Sequence, residues 1–190
     1  MHKKRQLLFI QGGGSDVHDG WDSKLVSSLQ HELGSGFDIC YPRMPDEADP
    51  GYESWKPALE KELGALRDSA IIVAHSVGAT ILIRLLAEQV PVPKLGGIFC
   101  IAAPFLGDGG WSADGVQFSH DLGERLPKGI PIHFYHGLAD EIVPSSHVQL
   151  YARAVPQARI HRLPGRDHQL NNDLSEVATV IVPMTHKHSG

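Results

Sequence analysis

Short apolar runs alternate with stretches of helical periodicity along most of the chain. The apolar runs predict strands at residues 6–10, 37–41, 70–74, 97–101, 131–135 and 159–163. The helical stretches predict helices at residues 23–32, 52–66, 77–88, 146–154 and 173–182. Buried strands that alternate with helices usually form a parallel sheet with both faces covered. The pattern therefore predicts a three-layer α/β/α sandwich around a mostly parallel sheet of about six strands.

Two of the predicted connections are long. Residues 42–51 are rich in proline and aspartate, whereas residues 102–129 are rich in glycine and contain no clear strand. Long loops in a compact domain are often lids or binding segments. We expect a single domain over residues 1–190, a lid-like insertion at residues 102–129 and a frayed tail at residues 184–190.

The composition is that of a globular protein with its own core. The chain has 190 residues, of which 42% are hydrophobic, so a core can form without disulfides or metals. Cys40 and Cys100 each lie in an apolar run, where we expect buried free thiols. With 17 basic and 22 acidic side chains, the net charge of -5 disfavours nucleic acid and anionic membranes as partners. A small molecule is the expected partner, and a protein partner remains open.

The N-terminal segment does not have the pattern of a secretory signal. Its apolar run at residues 7–10 is far shorter than a signal-peptide core and leads into glycines. No apolar run in the chain reaches the ~20 residues that a membrane helix requires. These features predict a cytoplasmic protein without a membrane partner.

The strongest chemical signal is a serine between a buried strand and a helix. Ser76 follows the apolar run at residues 70–74, and Ala74 and Gly78, two positions to either side, are small. In a nucleophile elbow, such small residues let strand and helix approach while the turn lifts the serine hydroxyl clear of the sheet. The N–H of Val77 would then face a developing oxyanion at the helix N-terminus. The alternative is that Ser76 only caps the helix.

A glycine loop follows the first predicted strand. Gly12, Gly13 and Gly14 let the backbone come close to a substrate, as in the loop that supplies a second oxyanion donor beside such an elbow. Position favours Gly13 as this donor, with Gly14 as the alternative. A dinucleotide-binding loop is disfavoured because Val17 stands where Gly-x-Gly-x-x-Gly requires glycine, and no Walker lysine follows. A simple turn is the remaining alternative.

A carboxylate and an imidazole follow two later strands. Asp140 comes just after the strand at residues 131–135, and His168 comes just after the strand at residues 159–163. Both should reach the edge of the sheet that carries Ser76, because parallel strands end at one edge. A neutral imidazole can accept the serine proton, and a buried carboxylate can orient that imidazole. We therefore predict Ser76, Asp140 and His168 as catalytic residues, in the chain order of α/β-hydrolases.

Each of these assignments has a plainer alternative. Asp140 could cap the following helix, and His168 could be one of twelve ordinary histidines. Glu141 and Asp167 are rivals for the role of the acid because they flank the proposed pair. His75 is expected to pack beside the nucleophile, since the turn carries it away from the serine hydroxyl.

Several other residues are weaker candidates for contact with a substrate. We predict Gly12, Gly14, His75 and Phe105 as substrate-binding residues. Phe105, Trp111 and Phe118 could line an acyl pocket or could instead pack their loop onto the body of the protein. His133 and His136 would face opposite sides of a strand, so we expect no metal site and no cofactor.

These motifs resemble those of the α/β-hydrolase superfamily, especially its small serine hydrolases similar to retinoblastoma-binding protein nine. The resemblance covers nearly the whole chain and includes Asp19-Gly20-Trp21, Glu53-Ser54-Trp55-Lys56-Pro57 and Gly137-x-x-Asp140-x-x-Val143-Pro144. It implies a minimal α/β-hydrolase fold with esterase-like or peptidase-like activity. Ala74, in place of the usual glycine, and residues 102–129 depart from the family pattern.

The expected function is hydrolysis of an ester, thioester or amide of a small substrate through an acyl-enzyme on Ser76. One alternative is a binding protein that keeps the fold without turnover. Another is an acyltransferase that uses the same three residues and differs only in the acceptor.

Overall fold

The six predicted strands form one sheet. The computed structural model describes residues 4–113 and 115–186. Within these residues the strands are Arg5–Ile10 for β1, Phe37–Cys40 for β2, Ile71–His75 for β3, Gly97–Ile101 for β4, Ile132–Gly137 for β5 and Arg159–Leu163 for β6. They are all parallel, and their order in the sheet is β2-β1-β3-β4-β5-β6.

Helices connect the strands. Their bounds are Asp22–Leu33 for α1, Tyr52–Gly64 for α2, Val77–Ala87 for α3, Leu122–Arg125 for α4, Ser146–Ala154 for α5 and Ser175–Ile181 for α6. Shorter turns lie at Val17–Trp21, Gly34–Gly36, Leu170–Asn172 and Val182–His186. In the part of the chain that the structure describes, no helix has the length and apolar character needed to cross a membrane.

The helices cover the sheet on both faces. On one face, Trp55 of α2, Leu82 of α3 and Tyr151 of α5 share an apolar cluster with the strands. On the other face, Leu25 of α1 and Val177 of α6 belong to a second cluster. The fold is thus the predicted three-layer α/β/α sandwich, with every strand parallel.

Burial explains why the inner strands gave a clear sequence pattern. Every residue of β3, β4 and β5 is buried because helices pack on both sides. The edge strands β2 and β6 contain exposed and half-buried residues. The prediction that both cysteines are buried is wrong for Cys40, which is exposed at the end of edge strand β2, whereas Cys100 in β4 is buried.

The strand order creates a crevice at one edge of the sheet. In the sheet, β2 lies on one side of β1 and β3 lies on the other. The direction in which successive strands are added therefore reverses between β1 and β3. Such a switch point leaves a crevice beyond the C-terminal ends of the strands. The glycine loop after β1 and Ser76 after β3 flank this crevice. The loops after β5 and β6 lie at the same edge of the sheet.

The long segment at residues 102–129 is attached to the body of the protein. It contains α4 and isolated bridges at Leu106–Trp111 and Ala113–Val116. The Phe105 ring packs edge to face on the rings of Phe118 and Tyr151. This packing fastens the start of the segment to α5.

Part of the predicted frayed tail at residues 184–190 lies within the described residues. Residues 184–186 belong to the turn Val182–His186, and Met184 packs against the core cluster beneath α1 and α6. This apolar contact keeps the start of the predicted frayed segment in place. Residues 187–190 lie outside the described residues.

Candidate active site

Ser76 occupies a strained turn between β3 and α3. Its backbone angles are φ 52° and ψ −131°, a conformation that non-glycine residues rarely adopt. The Ser76 N–H donates to the carbonyl of Ile101 at 2.8 Å, which ties the turn to β4. A Cβ added to Gly78 would lie 2.0 Å from the carbonyl oxygen of Gln11. Close approach of α3 to β1 therefore requires glycine at position 78.

The His168 imidazole bridges Ser76 and Asp140. Its Nε2 lies 3.0 Å from Ser76 Oγ, and its Nδ1 lies 2.8 Å from Asp140 Oδ2. Because a carboxylate only accepts hydrogen bonds, Nδ1 carries the proton. Nε2 is then free to accept a hydrogen bond from the serine hydroxyl. The structure brings the three predicted catalytic residues into one hydrogen-bonded chain.

Asp140 is held as an anion by its surroundings. Its side chain is fully buried, and Oδ1 accepts the N–H groups of Ile142 and Val143, each at 2.8 Å. Burial alone would raise the pKa of Asp140. Hydrogen bonds from His136, His168 and the Val143 N–H outweigh that effect and hold the pKa well below the ordinary 3.8.

The other two carboxylates considered for the role of the acid, Glu141 and Asp167, lie in different surroundings. Glu141 lies exposed at the rim of the cleft. Asp167 Oδ1 accepts the N–H groups of Gln169 and Asn171, at 2.9 and 2.7 Å. Of the three candidates, Asp140 is the one that contacts the His168 ring.

The loop that carries His168 is a left-handed turn. Leu170, Asn171 and Asn172 have φ angles of 49°, 58° and 56°. Asn171 Oδ1 accepts the Asp167 N–H at 3.0 Å, and its Nδ2 donates to Gly165. This turn was not predicted from the sequence, although asparagine tolerates the left-handed region better than most residues. The turn fixes the backbone on both sides of His168.

Burial favours the neutral form of His168. Its side chain is largely buried, and this burial lowers the pKa below the ordinary 6.5. The hydrogen bond to Asp140 opposes the shift, and the nearby His75 ring adds to it. A neutral imidazole with Nδ1 protonated is the form that accepts a proton at Nε2.

Two backbone N–H groups beside Ser76 are free. Among the described residues, neither Gly13 N–H nor Val77 N–H has a hydrogen-bond acceptor. A Cβ added to Gly13 would lie 2.8 Å from Val77 Cγ1, so the two residues adjoin. Gly14 N–H instead donates to Glu47 at 2.6 Å, and Gly12 N–H donates to Asp22 at 2.7 Å. This pattern favours Gly13 over Gly14 as the partner of Val77.

A cleft of about 860 Å³ opens over Ser76. Gly12, Gly13, Gly14, His75, Ser76, Val77 and His168 line it. Its mouth carries the exposed apolar side chains of Trp21, Trp111 and Ile142. Within the described part of the chain, no lysine or arginine lines this cleft. The cleft thus combines these apolar side chains with the carboxylates of Glu141 and Asp167.

Phe105 does not belong to this cleft. Its ring lies in the core among Phe118 and Tyr151, and its N–H donates to His147 Nδ1 at 2.8 Å. The prediction that Phe105 binds substrate is therefore corrected, because core packing turns the ring away. Trp111 of the same segment reaches the cleft instead.

Two further polar residues at the site, Asp22 and Gln169, were not predicted from the sequence. Asp22 at the start of α1 is fully buried and lines the cleft with Gln169. Gln169 Nε2 donates to Asp22 Oδ1 at 3.2 Å, across 147 positions of sequence. An acidic residue in the first turn of a helix is common, so the sequence alone did not mark Asp22 as a residue of the site.

Gly137 controls the spacing between the Asp140 and His168 loops. A Cβ added there would lie 2.2 Å from the carbonyl oxygen of Arg166 and 2.5 Å from that of Asp167. We expect Gly137→Ala to lower the free energy of unfolding by about 1–3 kcal/mol, because backbone atoms must move apart. Urea denaturation measures this loss. Gly64→Ala is the matched control, since a Cβ at Gly64 meets nothing within 4 Å; equal stability of both variants would contradict the expectation.

The chain matches a known protein family and several solved structures. Residues 10–168 match the serine hydrolase family. The ydeN gene product of B. subtilis is 22% identical, with 97% of this chain and 100% of that chain covered and a TM-score of 0.74. The esterase domain of a Rhodothermus marinus protein is 16% identical, with 100% and 90% covered and a TM-score of 0.65. XC6422 of Xanthomonas campestris, an α/β serine hydrolase without a lid, is 18% identical, with 96% and 81% covered and a TM-score of 0.61.

The fold is that of the α/β hydrolases. No curated protein sequence matches the chain. The family match spans most of the chain, and the chain belongs to the serine hydrolase family.

Proposed function

We propose that the protein is a carboxylesterase-like hydrolase that cleaves small neutral esters through an acyl-enzyme on Ser76. The observation that carries the proposal is the hydrogen-bonded chain from Ser76 Oγ through the His168 ring to the buried Asp140 carboxylate. Ser76 and His168 line a cleft that is large enough for a small substrate. Membership of the serine hydrolase family supports the same chemistry.

In the first half of the reaction, Ser76 Oγ attacks the ester carbonyl while His168 Nε2 takes the hydroxyl proton. The carbonyl oxygen becomes an oxyanion, which the free N–H groups of Val77 and Gly13 can bind. Asp140 stabilises the imidazolium that forms. The tetrahedral intermediate then collapses, and His168 returns the proton to the departing alcohol.

In the second half, water replaces the alcohol. His168 takes a proton from the water, and the resulting hydroxide attacks the acyl carbonyl. The same two N–H groups hold the second oxyanion. Breakage of the bond to Ser76 Oγ releases the acid, and the serine recovers its proton from His168.

The cleft supports neutral esters as the substrate class. Trp21, Trp111 and Ile142 give its mouth an apolar surface. The carboxylates of Glu141 and Asp167 also lie along it and would repel an anionic substrate. The Rhodothermus marinus neighbour is an esterase domain, which agrees with an ester substrate.

The test is hydrolysis of p-nitrophenyl esters of rising acyl-chain length by the purified protein. We expect release of p-nitrophenolate above the background rate, and prior treatment with a fluorophosphonate should stop it. No hydrolysis of any ester, or hydrolysis that the fluorophosphonate leaves unchanged, would contradict the proposal. Faster p-nitrophenolate release on addition of methanol, with the methyl ester as product, would identify an acyltransferase instead.

The pH dependence of hydrolysis should reflect the environment of His168. Protonated His168 cannot accept the serine proton, so kcat/KM should fall as pH decreases through the pKa of this ring. Because burial lowers that pKa, the acid limb should lie below the ordinary 6.5. Initial rates between about pH 4.5 and 8.5 measure this limb. A limb at or above 6.5 would contradict the assignment of His168 as the base in this environment.

A further inference from the structure

A second carboxylate–imidazole pair, Asp22 and His75, adjoins the turn that carries Ser76. His75, the last residue of β3, contacts Asp22 of α1 through its ring Nδ1. Nδ1 lies 3.0 Å from each oxygen of the Asp22 carboxylate. Asp22 is fully buried, and 2% of the surface of His75 is exposed. Neither residue belongs to the hydrogen-bonded chain of Ser76, His168 and Asp140.

Both ring nitrogens of His75 face acceptors. Nδ1 faces the Asp22 carboxylate, and Nε2 lies 3.1 Å from the backbone carbonyl oxygen of His168. Neither a carboxylate nor a carbonyl can donate a hydrogen bond, so a ring that satisfies both contacts carries a proton on each nitrogen. An imidazolium at His75 paired with an Asp22 carboxylate satisfies both contacts.

The electrostatics of the pair agree with this assignment. Burial by itself would lower the pKa of His75, but Asp22, the His168 carbonyl and Asp140 together raise it. Burial would likewise raise the pKa of Asp22, but His75, the Gly12 N–H and Gln169 lower it. Both shifts favour the charged form of the group, an imidazolium at His75 and a carboxylate at Asp22.

The pair connects three loops of the site. Asp22 Oδ2 accepts the Gly12 N–H at 2.7 Å, which holds the glycine loop, and Oδ1 accepts Gln169 Nε2 at 3.2 Å. His75 donates to the backbone of His168 and is joined directly to Ser76. The glycine loop, the nucleophile turn and the His168 loop thus contact one buried ion pair.

We propose that Asp22 and His75 are positioning residues for the reaction at Ser76. Their hydrogen bonds hold the glycine loop and the His168 backbone in position beside Ser76. The buried His75 charge keeps the His168 ring in its neutral, proton-accepting form. The part of this proposal that concerns the proton-accepting form of His168 rests on the proposed function. The charge and the contacts of His75 do not depend on that function.

The effect of His75 on His168 follows from their separation. The two ring centroids are 4.9 Å apart, so a charge on His75 opposes protonation of His168. Asp140 faces the His168 ring from the loop after β5 and favours its protonation, whereas His136 of β5 opposes it. His75 belongs to the groups that lower the pKa of His168. Loss of its charge should therefore move the acid limb of activity to higher pH.

The first test measures the charge of His75 in the wild-type protein. Imidazole nitrogen NMR spectra of ¹⁵N-histidine-labelled protein distinguish doubly protonated from neutral rings, and the His75→Gln spectrum identifies the His75 signals. We expect His75 to stay doubly protonated at pH 7. A neutral His75 at that pH would overturn the proposal, whether or not the protein hydrolyses esters.

The second test measures the acid limb of kcat/KM in His75→Gln. Glutamine can keep a hydrogen bond to Asp22 or to His168 but carries no charge. We expect the limb to move up by about one pH unit and kcat to fall about 10- to 100-fold. A limb that stays in place or moves down would overturn the proposal.

His133→Gln is the matched control. His133 is equally buried in the inner strand β5, but it lies near the N-terminal end of that strand, where its Nδ1 is 3.0 Å from His161 Nε2. We expect this variant to keep the wild-type acid limb, and an equal shift in it would overturn the proposal. If wild-type protein hydrolyses no ester, the proposed function fails, and the NMR measurement still decides the charge of His75.

Discussion

Replacement of Ser76 by alanine is expected to lower kcat for ester hydrolysis at least about 10⁴-fold with little change in KM. Alanine removes the hydroxyl that lies 3.0 Å from His168 Nε2 but leaves the lining of the cleft in place. Binding should persist while covalent chemistry is lost. Steady-state kinetics with the preferred p-nitrophenyl ester measure both constants.

Ser145→Ala is the matched control for this experiment. Ser145 also precedes a helix, α5, but it has an ordinary φ of −63°. If Ser76 were only a helix cap, the two variants would have similar activity and similar losses of stability. Wild-type kcat in a folded Ser76→Ala protein would exclude Ser76 as the nucleophile.

The second large effect is expected for Asp140→Asn, which should lower kcat about 10³- to 10⁴-fold. The amide oxygen can still accept the N–H groups of Ile142 and Val143, so the loop should keep its shape. The amide nitrogen would then face His168 Nδ1 as a donor. This contact favours the tautomer with the proton on Nε2, which cannot accept the serine proton.

Glu141→Gln is the control for Asp140→Asn because it removes the adjacent, exposed carboxylate. We expect it to retain kcat within about threefold, as is usual for a surface substitution. Thermal unfolding shows whether each variant is folded. A large loss of kcat in Glu141→Gln combined with an active Asp140→Asn would reverse the assignment of the acid.

The sequence predicted the fold well because the central strands are buried on both faces. Residues 97–101 form a continuous apolar run, and β4 has the same bounds. The pattern was less informative at the edge of the sheet. Cys40 lies in an apolar run, yet it is exposed at the end of edge strand β2, and local sequence does not report which strand is outermost.

The grouping of the three candidate residues was predictable because each is tied to a position after a strand. Ser76, Asp140 and His168 each follow a strand, and parallel strands bring such positions to one edge of the sheet. The contact between Asp22 and Gln169 could not be predicted, because it depends on how α1 packs beside the last loop. The direction of the Phe105 ring likewise depends on the packing of Tyr151.

The most direct test of the central claim is the location of a fluorophosphonate adduct. The reagent should phosphonylate one hydroxyl, and peptide mass spectrometry identifies the residue that carries it. We expect a single adduct per chain on the peptide that contains Ser76, with fragment ions that place it on the serine oxygen. An unmodified Ser76 in folded protein, or an adduct on a different residue, would contradict the account.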